Sequence, residues 1–309
     1  MSKSLVEEIS ASLRISTERT QEIIINADKL YKIYSIPKHS GGNRLIYQPS
    51  SQLKAIQYWT LDNIISLFPV SDRAFAYVKG RSIASNAKAH RQSKYLFHTD
   101  IHNFFPSITS SLFDKQCLNR FSSILEETGF SFGDTNSVLH KILFRKDKLT
   151  IGAVSSPAIS NAVMHDFDQS LTNYCLISGY VYTRYADDIY ISSKSLLPKQ
   201  IKEDIFAEMH KFGFSPNYKK TSFWNGSSHL KVTGVNVLAG SGRLTIGTRN
   251  KKMIKGMLYE YLMHGKGDPT KILGYLAYVK EIEPSFYNTL IIKYSEYRNE
   301  HIIKYLKDS

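Results

Sequence analysis

The sequence predicts an α+β protein in which a small antiparallel sheet lies between helical lobes at the two ends of the chain. Three observations carry this expectation. Two β-branched and aromatic runs, residues 95–100 and 179–192, occupy the middle of the chain. Apolar residues recur at helical spacing before residue 36 and after residue 249. Strands bracketed by helices, with helices at both ends, form a segregated pattern rather than the strict alternation of a parallel sheet.

The elements follow in order. Residues 4–36 read as helices, with Thr17 as an N-cap, Glu18 just inside, and Ile23, Ile24, Ala27, Leu30 and Tyr31 on one face. Residues 38–44 form a polar Gly-Gly turn, and Leu45-Ile46-Tyr47 has strand composition up to Pro49, so this region reads as a basic hairpin. Residues 53–67 return to helical spacing. Residues 95–100 read as a strand that ends in a carboxylate, stopped by Phe104-Phe105-Pro106, and residues 111–145 read as mostly helical. Ser156-Pro157 opens another helix, where a first-turn proline loses no hydrogen bond. Residues 179–192 form a hairpin broken only by Ala186-Asp187-Asp188. An amphipathic helix spans 199–212. A strand over 231–238 pairs with 243–247 across Ala-Gly-Ser-Gly, and helices follow from Arg249.

Composition narrows the function. The 309 residues include 40 Lys and Arg against 27 Asp and Glu, a net charge of +13, with 20 Tyr and 16 Phe. At roughly 150 residues per domain the length fits two or three lobes, and 42% apolar residues is enough for a substantial core. Two widely separated cysteines, Cys117 and Cys175, exclude a disulfide scaffold and argue against a structural zinc site; they read as reduced thiols, with a lone bridge between them as the alternative. The first residues carry acids where a signal peptide needs its apolar core, and no uncharged run approaches the ~18 residues that span a bilayer. A soluble, cytoplasmic protein without a membrane partner is expected. A positive field interleaved with flat rings suits phosphate backbones and base stacking, and the segment from Arg249 holds 11 Lys and Arg against 7 acids.

The chemistry lies in three carboxylates. Asp187 and Asp188 are adjacent at the tip of an apolar hairpin, where like charges about 4 Å apart repel by roughly 1 to 4 kcal/mol. Asp100 ends the other strongly apolar strand. If those strands are neighbours, all three acids converge at one sheet edge and need a counter-charge. Mg²⁺ prefers oxygen donors and is held by a few carboxylates plus substrate phosphates. Two such ions clamp the attacking and departing oxygens of a phosphoryl displacement, which is polymerase chemistry.

Tyr185-Ala186-Asp187-Asp188, preceded by Asp100 in Asp-Ile-His-Asn-Phe-Phe-Pro and by Gly152-Ala-Val-Ser-Ser-Pro157, resembles the ordered active-site motifs of reverse transcriptases. Asn86-Ala-Lys-Ala-His90 and Val232-Thr233-Gly234 are similar to two elements of the retron branch of that family. The resemblance runs from about residue 14 to 300. It implies a right-hand polymerase architecture: N-terminal helices and fingers over 1–75, a palm with interleaved fingers elements over 76–245, and a helical basic thumb over 246–309. No attached RNase H or endonuclease domain is expected.

The resemblance also implies roles. Asp100 and Asp187 would bridge two Mg²⁺ ions, with Asp188 metal-holding or supporting. Phe105 matches the steric gate that excludes a ribose 2′-OH, with an ordinary core ring as the alternative. Arg44 resembles the fingers arginine that grips the triphosphate, with a solvated turn residue as the alternative. Lys220, in Asn217-Tyr-Lys-Lys-Thr221, resembles the lysine near the leaving pyrophosphate, Lys219 being an equally basic neighbour. Gly152, Ser156 and Pro157 would let the backbone approach nucleotide and template, but Ile151 stands where many relatives have Gln. Asn86 and His90 read as a structural or RNA-contacting pair, and Val232, Thr233 and Gly234 as a further retron marker.

The expected activity is that of a retron RNA-directed DNA polymerase. It would copy its own structured noncoding RNA into cDNA from the 2′-OH of an internal guanosine, using dNTPs, and the product would be branched RNA-linked single-stranded DNA. A separately encoded effector in antiphage defence is expected by analogy. Another bacterial reverse transcriptase (intron, diversity-generating or abortive-infection type) is the alternative within the class. A nonpolymerising nucleic-acid-binding scaffold and a palm-type nucleotide cyclase lie outside it.

Overall fold

A computed structural model describes residues 4–38, 41–120, 122–130, 132–225 and 229–308. His39 and Ser40 of the Gly-Gly turn lie outside the described residues. Helices α1 (Leu5–Leu13) and α2 (Thr17–Ile25) open the fold. The cap of α2 is Ser16, whose hydroxyl accepts from the Arg19 amide, so Thr17 is the first helical residue and not the cap as expected.

The helical reading of residues 4–36 fails from Tyr31. Residues 27–29 make a single 3₁₀ turn, and Tyr31–Pro37 is strand β1, paired along its length with β2 (Asn43–Pro49). Leu30 and Tyr31 continued the helical spacing by coincidence. The β-branched and aromatic content of Tyr-Lys-Ile-Tyr-Ser-Ile favours the pleat, and a partner strand is present to satisfy its backbone. Helix α3 (Ser51–Asn63) is capped by Ser50, and the short helix α4 (Ile83–Ala89) carries a capping box between Ser82 and Ser85.

The central sheet is antiparallel with strand order β4-β5-β3-β6. Its strands are β3 (Tyr95–Asp100), β4 (Val181–Tyr185), β5 (Asp188–Ser193) and β6 (Ser222–Asn225). Period-two alternation divides the sheet into two faces. Phe97, Ile101, Tyr182, Ile189 and Ile191 belong to the larger core. That core also takes in α3, α5 (Phe104–Ser107), α6 (Ser110–Phe113), α7 (Ser122–Glu127), α8 (Phe132–Leu143), α9 (Ser156–Val163), α10 (His165–Ile177) and α11 (Ile201–Lys211). Leu96 and Tyr190 face the other way, into a second core with α4, a three-stranded sheet and the C-terminal helices. Over most of β3, β4 and β5 both faces are therefore covered, and buried polar groups there need partners inside the protein.

The expected single strand over 231–238 is in fact a hairpin. Strands β7 (His229–Val232) and β8 (Val235–Leu238) pair antiparallel across Thr233-Gly234, and β9 (Leu244–Thr245) pairs with β8. Both turn residues have positive φ, 47° and 82°, as a two-residue type I′ turn requires. A β-branched residue at a left-handed position masked the turn, because Thr there is unusual and the flanking valines read as continuous strand. The last four helices are α12 (Gly247–His264), α13 (Pro269–Ile282), α14 (Pro284–Arg298) and α15 (Ile302–Asp308). Two start with proline at the first helical position. No helix among the described residues is long and apolar enough to cross a membrane.

Candidate active site

Residues Asp100 and Asp188 are direct partners in the β3–β5 register, so their side chains leave the same face of the sheet. Asp187 occupies the two-residue connection from β4, after Ala186 at φ 57°, and its carbonyl accepts from the Ile101 amide at 3.0 Å. The chain thus delivers all three acids to one end of one strand pair. Their side chains divide, however. The Asp188 carboxylate is hydrogen-bonded to His98 Nε2 at 2.8 Å, and the His98 ring stacks on Tyr190 with centroids 4.7 Å apart. Asp100 accepts from Lys220 Nζ at 2.5 Å and from Asn217 Nδ2 at 3.0 Å. Among the described residues, no three His, Cys, Asp or Glu side chains gather as a ready-made metal cluster.

The electrostatics show what the acids lack. The Asp187 carboxyl is pushed up to about 7, first by burial and then by the charges of Asp100 and Asp188 and a hydrogen bond with Asp100. Lys220 loses some basicity to burial, but its hydrogen bond to Asp100 and the charges of all three acids outweigh that and raise it above the ordinary lysine value. One half-exposed ammonium cannot neutralise three carboxylates, so the site is short of positive charge. A hard divalent cation fits this all-oxygen donor set, with Asp100 and Asp187 as the side chains that would hold it and Asp188 next to them.

The other expected substrate residues surround this edge unequally. Arg44 lies exposed on β2 opposite Ile36. Phe105 is half-buried in α5, 5.4 Å from the Phe104 ring and 6.3 Å from the Tyr77 ring. Gly152 has φ 116°, and a Cβ there would come within 2.7 Å of the Tyr47 carbonyl oxygen. Its lack of a side chain therefore lets the loop lie against β2, where the Tyr47 amide donates to the Ile151 carbonyl at 2.8 Å. Ser156 and Pro157 begin α9, and the buried hydroxyls of Ser155 and Ser156 find no partner among the described residues.

Two neighbours of the site escaped the sequence reading. Tyr77 is half exposed at φ 62°. Its hydroxyl is raised first by burial and then by the charge of Asp187, against a lowering by Arg44. Nothing in the residues around it signals a left-handed tyrosine. His98 did carry a signal, because it stands two residues before Asp100 and so on the same face.

The retron-type elements meet one another inside the protein. Asn86, His90 and Val232 are fully buried. Asn86 Nδ2 donates to Thr233 Oγ1 at 3.4 Å, and the Thr233 amide donates to Tyr190 Oη at 3.1 Å. His90 bridges Ser192 at 2.6 Å and Thr183 at 2.7 Å. Burial pushes its imidazole down to about 3, so it is neutral at physiological pH. Gly234 has open space at its Cβ position and is needed for its φ rather than for clearance. Gly234 and Thr233 join His98, Asp188, Tyr190 and Trp224 around an open cavity of about 420 Å³.

Comparison with known proteins gives the family. The family model for reverse transcriptase (RNA-dependent DNA polymerase) matches residues 36–237. The retron Ec73 reverse transcriptase of Escherichia coli is 36% identical, over 85% of this chain and 86% of its own. The retron Ec86 enzyme of the same organism is 29% identical over 96% of this chain and 90% of its own, and the retron Mx65 enzyme of Myxococcus xanthus is 27% identical over 90% and 68%. Among solved structures, apo telomerase from Candida tropicalis shares the fold at a TM-score of 0.51 and 12% identity, over 70% of this chain and 48% of that one. A strand pair that carries Asp100 opposite Asp188, inside a chain matched along its length by these enzymes, makes this protein a member of the reverse transcriptase family, an RNA-directed DNA polymerase of the retron branch.

Proposed function

We propose that the chain copies a structured noncoding RNA into single-stranded DNA that stays joined to the RNA through a 2′-OH linkage, and that it does so with Asp100 and Asp187 as the metal-holding acids. The observation that carries the site assignment is the β3–β5 register that sets Asp100 opposite Asp188 with Asp187 in the adjoining turn; the Asp187 carboxyl there is pushed up to about 7, first by burial and then by the charges of Asp100 and Asp188. Two Mg²⁺ ions would supply charge neutralisation and activation of the attacking hydroxyl.

The protein's own groups do the rest. Arg44, on the exposed hairpin, binds the triphosphate, where a planar fork can engage two oxygens. Phe105 lies under the sugar and excludes a 2′-OH. Lys220, protonated and within reach of Asp100, holds a proton near the departing pyrophosphate, a contribution of roughly 10²- to 10⁴-fold for a placed acid. His98 orients Asp188 from the same sheet face.

Residues 1–75, 76–245 and 246–309 serve as fingers, palm and thumb in this reading. An open cavity of about 1080 Å³ between β8, α12 and α13 shares Lys231 and Gly234 with the cavity beside Asp188. Its lining includes Arg249, Lys271, Tyr275 and Tyr278 and, among the described residues, no acid, which supports a path for a nucleic-acid backbone. The RNA partner recognised by shape, a separately encoded effector and a role in antiphage defence complete the proposal by family analogy.

The test has two arms. Asp187→Asn abolishes Mg²⁺-dependent dNTP incorporation while RNA binding persists; normal polymerisation by a folded variant would remove the metal assignment. Cells that express the protein with its RNA accumulate DNA that remains attached to RNA through denaturation and is released by a debranching enzyme. Linear cDNA extended only from a 3′-OH would exclude branching and keep the polymerase.

A further inference from the structure

Behind the catalytic turn, on the sheet face opposite Asp100 and Asp188, lies a charged network that the reaction does not touch. Arg184 and Asp168 have no side-chain exposure. Arg184 engages the Asp168 carboxylate with both Nε and Nη2 at 2.7 Å, and Tyr182 Oη donates to the same carboxylate at 2.7 Å. A buried ion pair is poor evidence of stability, since apolar residues of similar volume commonly do as well. What distinguishes this one is where its remaining donors go.

Arg184 Nη1 donates to the Ala186 carbonyl at 3.0 Å, immediately before Asp187. Ala186 is left-handed at φ 57°, a costly conformation for a residue with a Cβ, so the turn needs an outside hold. Arg184 Nη2 also donates to Asn161 Oδ1 at 3.2 Å, and Asn161 Nδ2 donates to the Ala76 carbonyl at 2.9 Å. The main chain of Arg184 adds two bonds to the same loop, from the Phe75 amide and to the Arg73 carbonyl, each 2.8 Å. The next residue is Tyr77, whose ring approaches Phe105. One guanidinium thus joins the turn that carries Asp187 to the loop that carries Tyr77.

We propose that Arg184 is a positioning residue of the polymerase site, which holds Asp187 through the Ala186 carbonyl and Tyr77 through Asn161 and the Ala76 carbonyl, so that the acid and the aromatic wall of the nucleotide pocket keep one relative placement. The inference rests on the reading of Asp187 as a metal-holding acid. Lysine cannot substitute, because a single ammonium cannot span a carboxylate, an amide oxygen and a main-chain carbonyl at once.

Three variants test this on the full chain with a primed RNA template. Arg184→Lys keeps the charge and loses the fork. Arg184→Met combined with Asp168→Leu and Tyr182→Phe replaces the network with apolar volume and leaves no buried charge. Asn161→Ala leaves the ion pair and the bond to Ala186 intact and removes the bridge from Arg184 Nη2 to the Ala76 carbonyl. For the first two, kcat falls by about 100-fold, the scale of an ångström-level misplacement, and the dNTP KM rises as well, because the link through Asn161 is lost along with the hold on Ala186. More Mg²⁺ is needed for half-maximal rate, and the rise in unfolding temperature on adding Mg²⁺ shrinks. For Asn161→Ala, the dNTP KM rises more than kcat falls.

A folded Arg184 variant with parental kcat and Mg²⁺ response overturns the proposal. Should neither Arg184 variant fold, Asn161→Ala decides alone, and parental kcat and KM there overturn it. Asp187→Asn, measured alongside, separates the two claims. If it is inactive while the Arg184 variants are fully active, only the brace fails; if it polymerises, the underlying site assignment fails.

Discussion

Replacing His90 with Gln should change how stability depends on pH, in a direction that burial dictates. In the folded protein the imidazole is fully enclosed between Ser192 and Thr183 and titrates at about 3, while an unfolded chain binds that proton near pH 6.5. Between those values the unfolded state holds one more proton than the native state, so native stability rises with pH there. The His90 contribution is complete above about pH 6.5 and is lost as pH falls toward 3, by roughly 1.4 kcal/mol per pH unit. By about pH 5 the parent has given up about 2 kcal/mol through this one group. His90→Gln cannot titrate, but it leaves one of the two hydroxyls without its ring partner, at a cost of roughly 1 to 3 kcal/mol near neutral pH. Denaturant unfolding of both proteins from about pH 7.5 to about pH 5 should therefore show a stability gap that narrows by about 2 kcal/mol. A gap that stays constant over that range would refute a neutral, enclosed His90, because any other charge in the protein titrates equally in both.

Three further outcomes follow from particular contacts. Gly152→Ala places a Cβ against the Tyr47 carbonyl at a positive φ. It should destabilise the protein by about 2 to 4 kcal/mol, visible as a lowered unfolding temperature; a parental value would contradict the close approach. Phe105→Val should relax discrimination against ribonucleotides at least about tenfold, measured as the ratio of kcat/KM for dNTP and rNTP; an unchanged ratio returns Phe105 to the core. Cys117 and Cys175 are buried free thiols, each pushed up to about 12, mainly by burial. Neither should react with a thiol reagent at neutral pH until the protein unfolds, and stoichiometric labelling of the native protein would show that the core opens.

Much of the site was legible because strand chemistry is local. A carboxylate at the end of an apolar run and two more in a hairpin connection are visible without coordinates, as are the helix that starts at Ser156-Pro157 and the basic helical C-terminus. The failures were equally physical. Leu30 and Tyr31 prolonged a helical spacing into a segment that becomes strand because β2 pairs with it. Thr233-Gly234 hid a hairpin because a β-branched residue rarely accepts a left-handed φ. Tyr77 gave no sign at all, since its position depends on a loop held from across the sheet.

By itself, the amino-acid order determined which residues could carry the chemistry: acids at strand ends, a ring five positions beyond the first of them, and lysines ahead of β6. Period-two alternation and turn chemistry act over a few residues and leave a record in composition. Only the tertiary structure decided which way each acid faces, that His98 takes Asp188, that Lys220 rather than its neighbour reaches Asp100, and that His90 and Asn86 are interior. Those outcomes depend on burial and on partners more than 80 residues away in the chain, and no local pattern encodes the desolvation that sets a proton's affinity or the packing that aims a side chain.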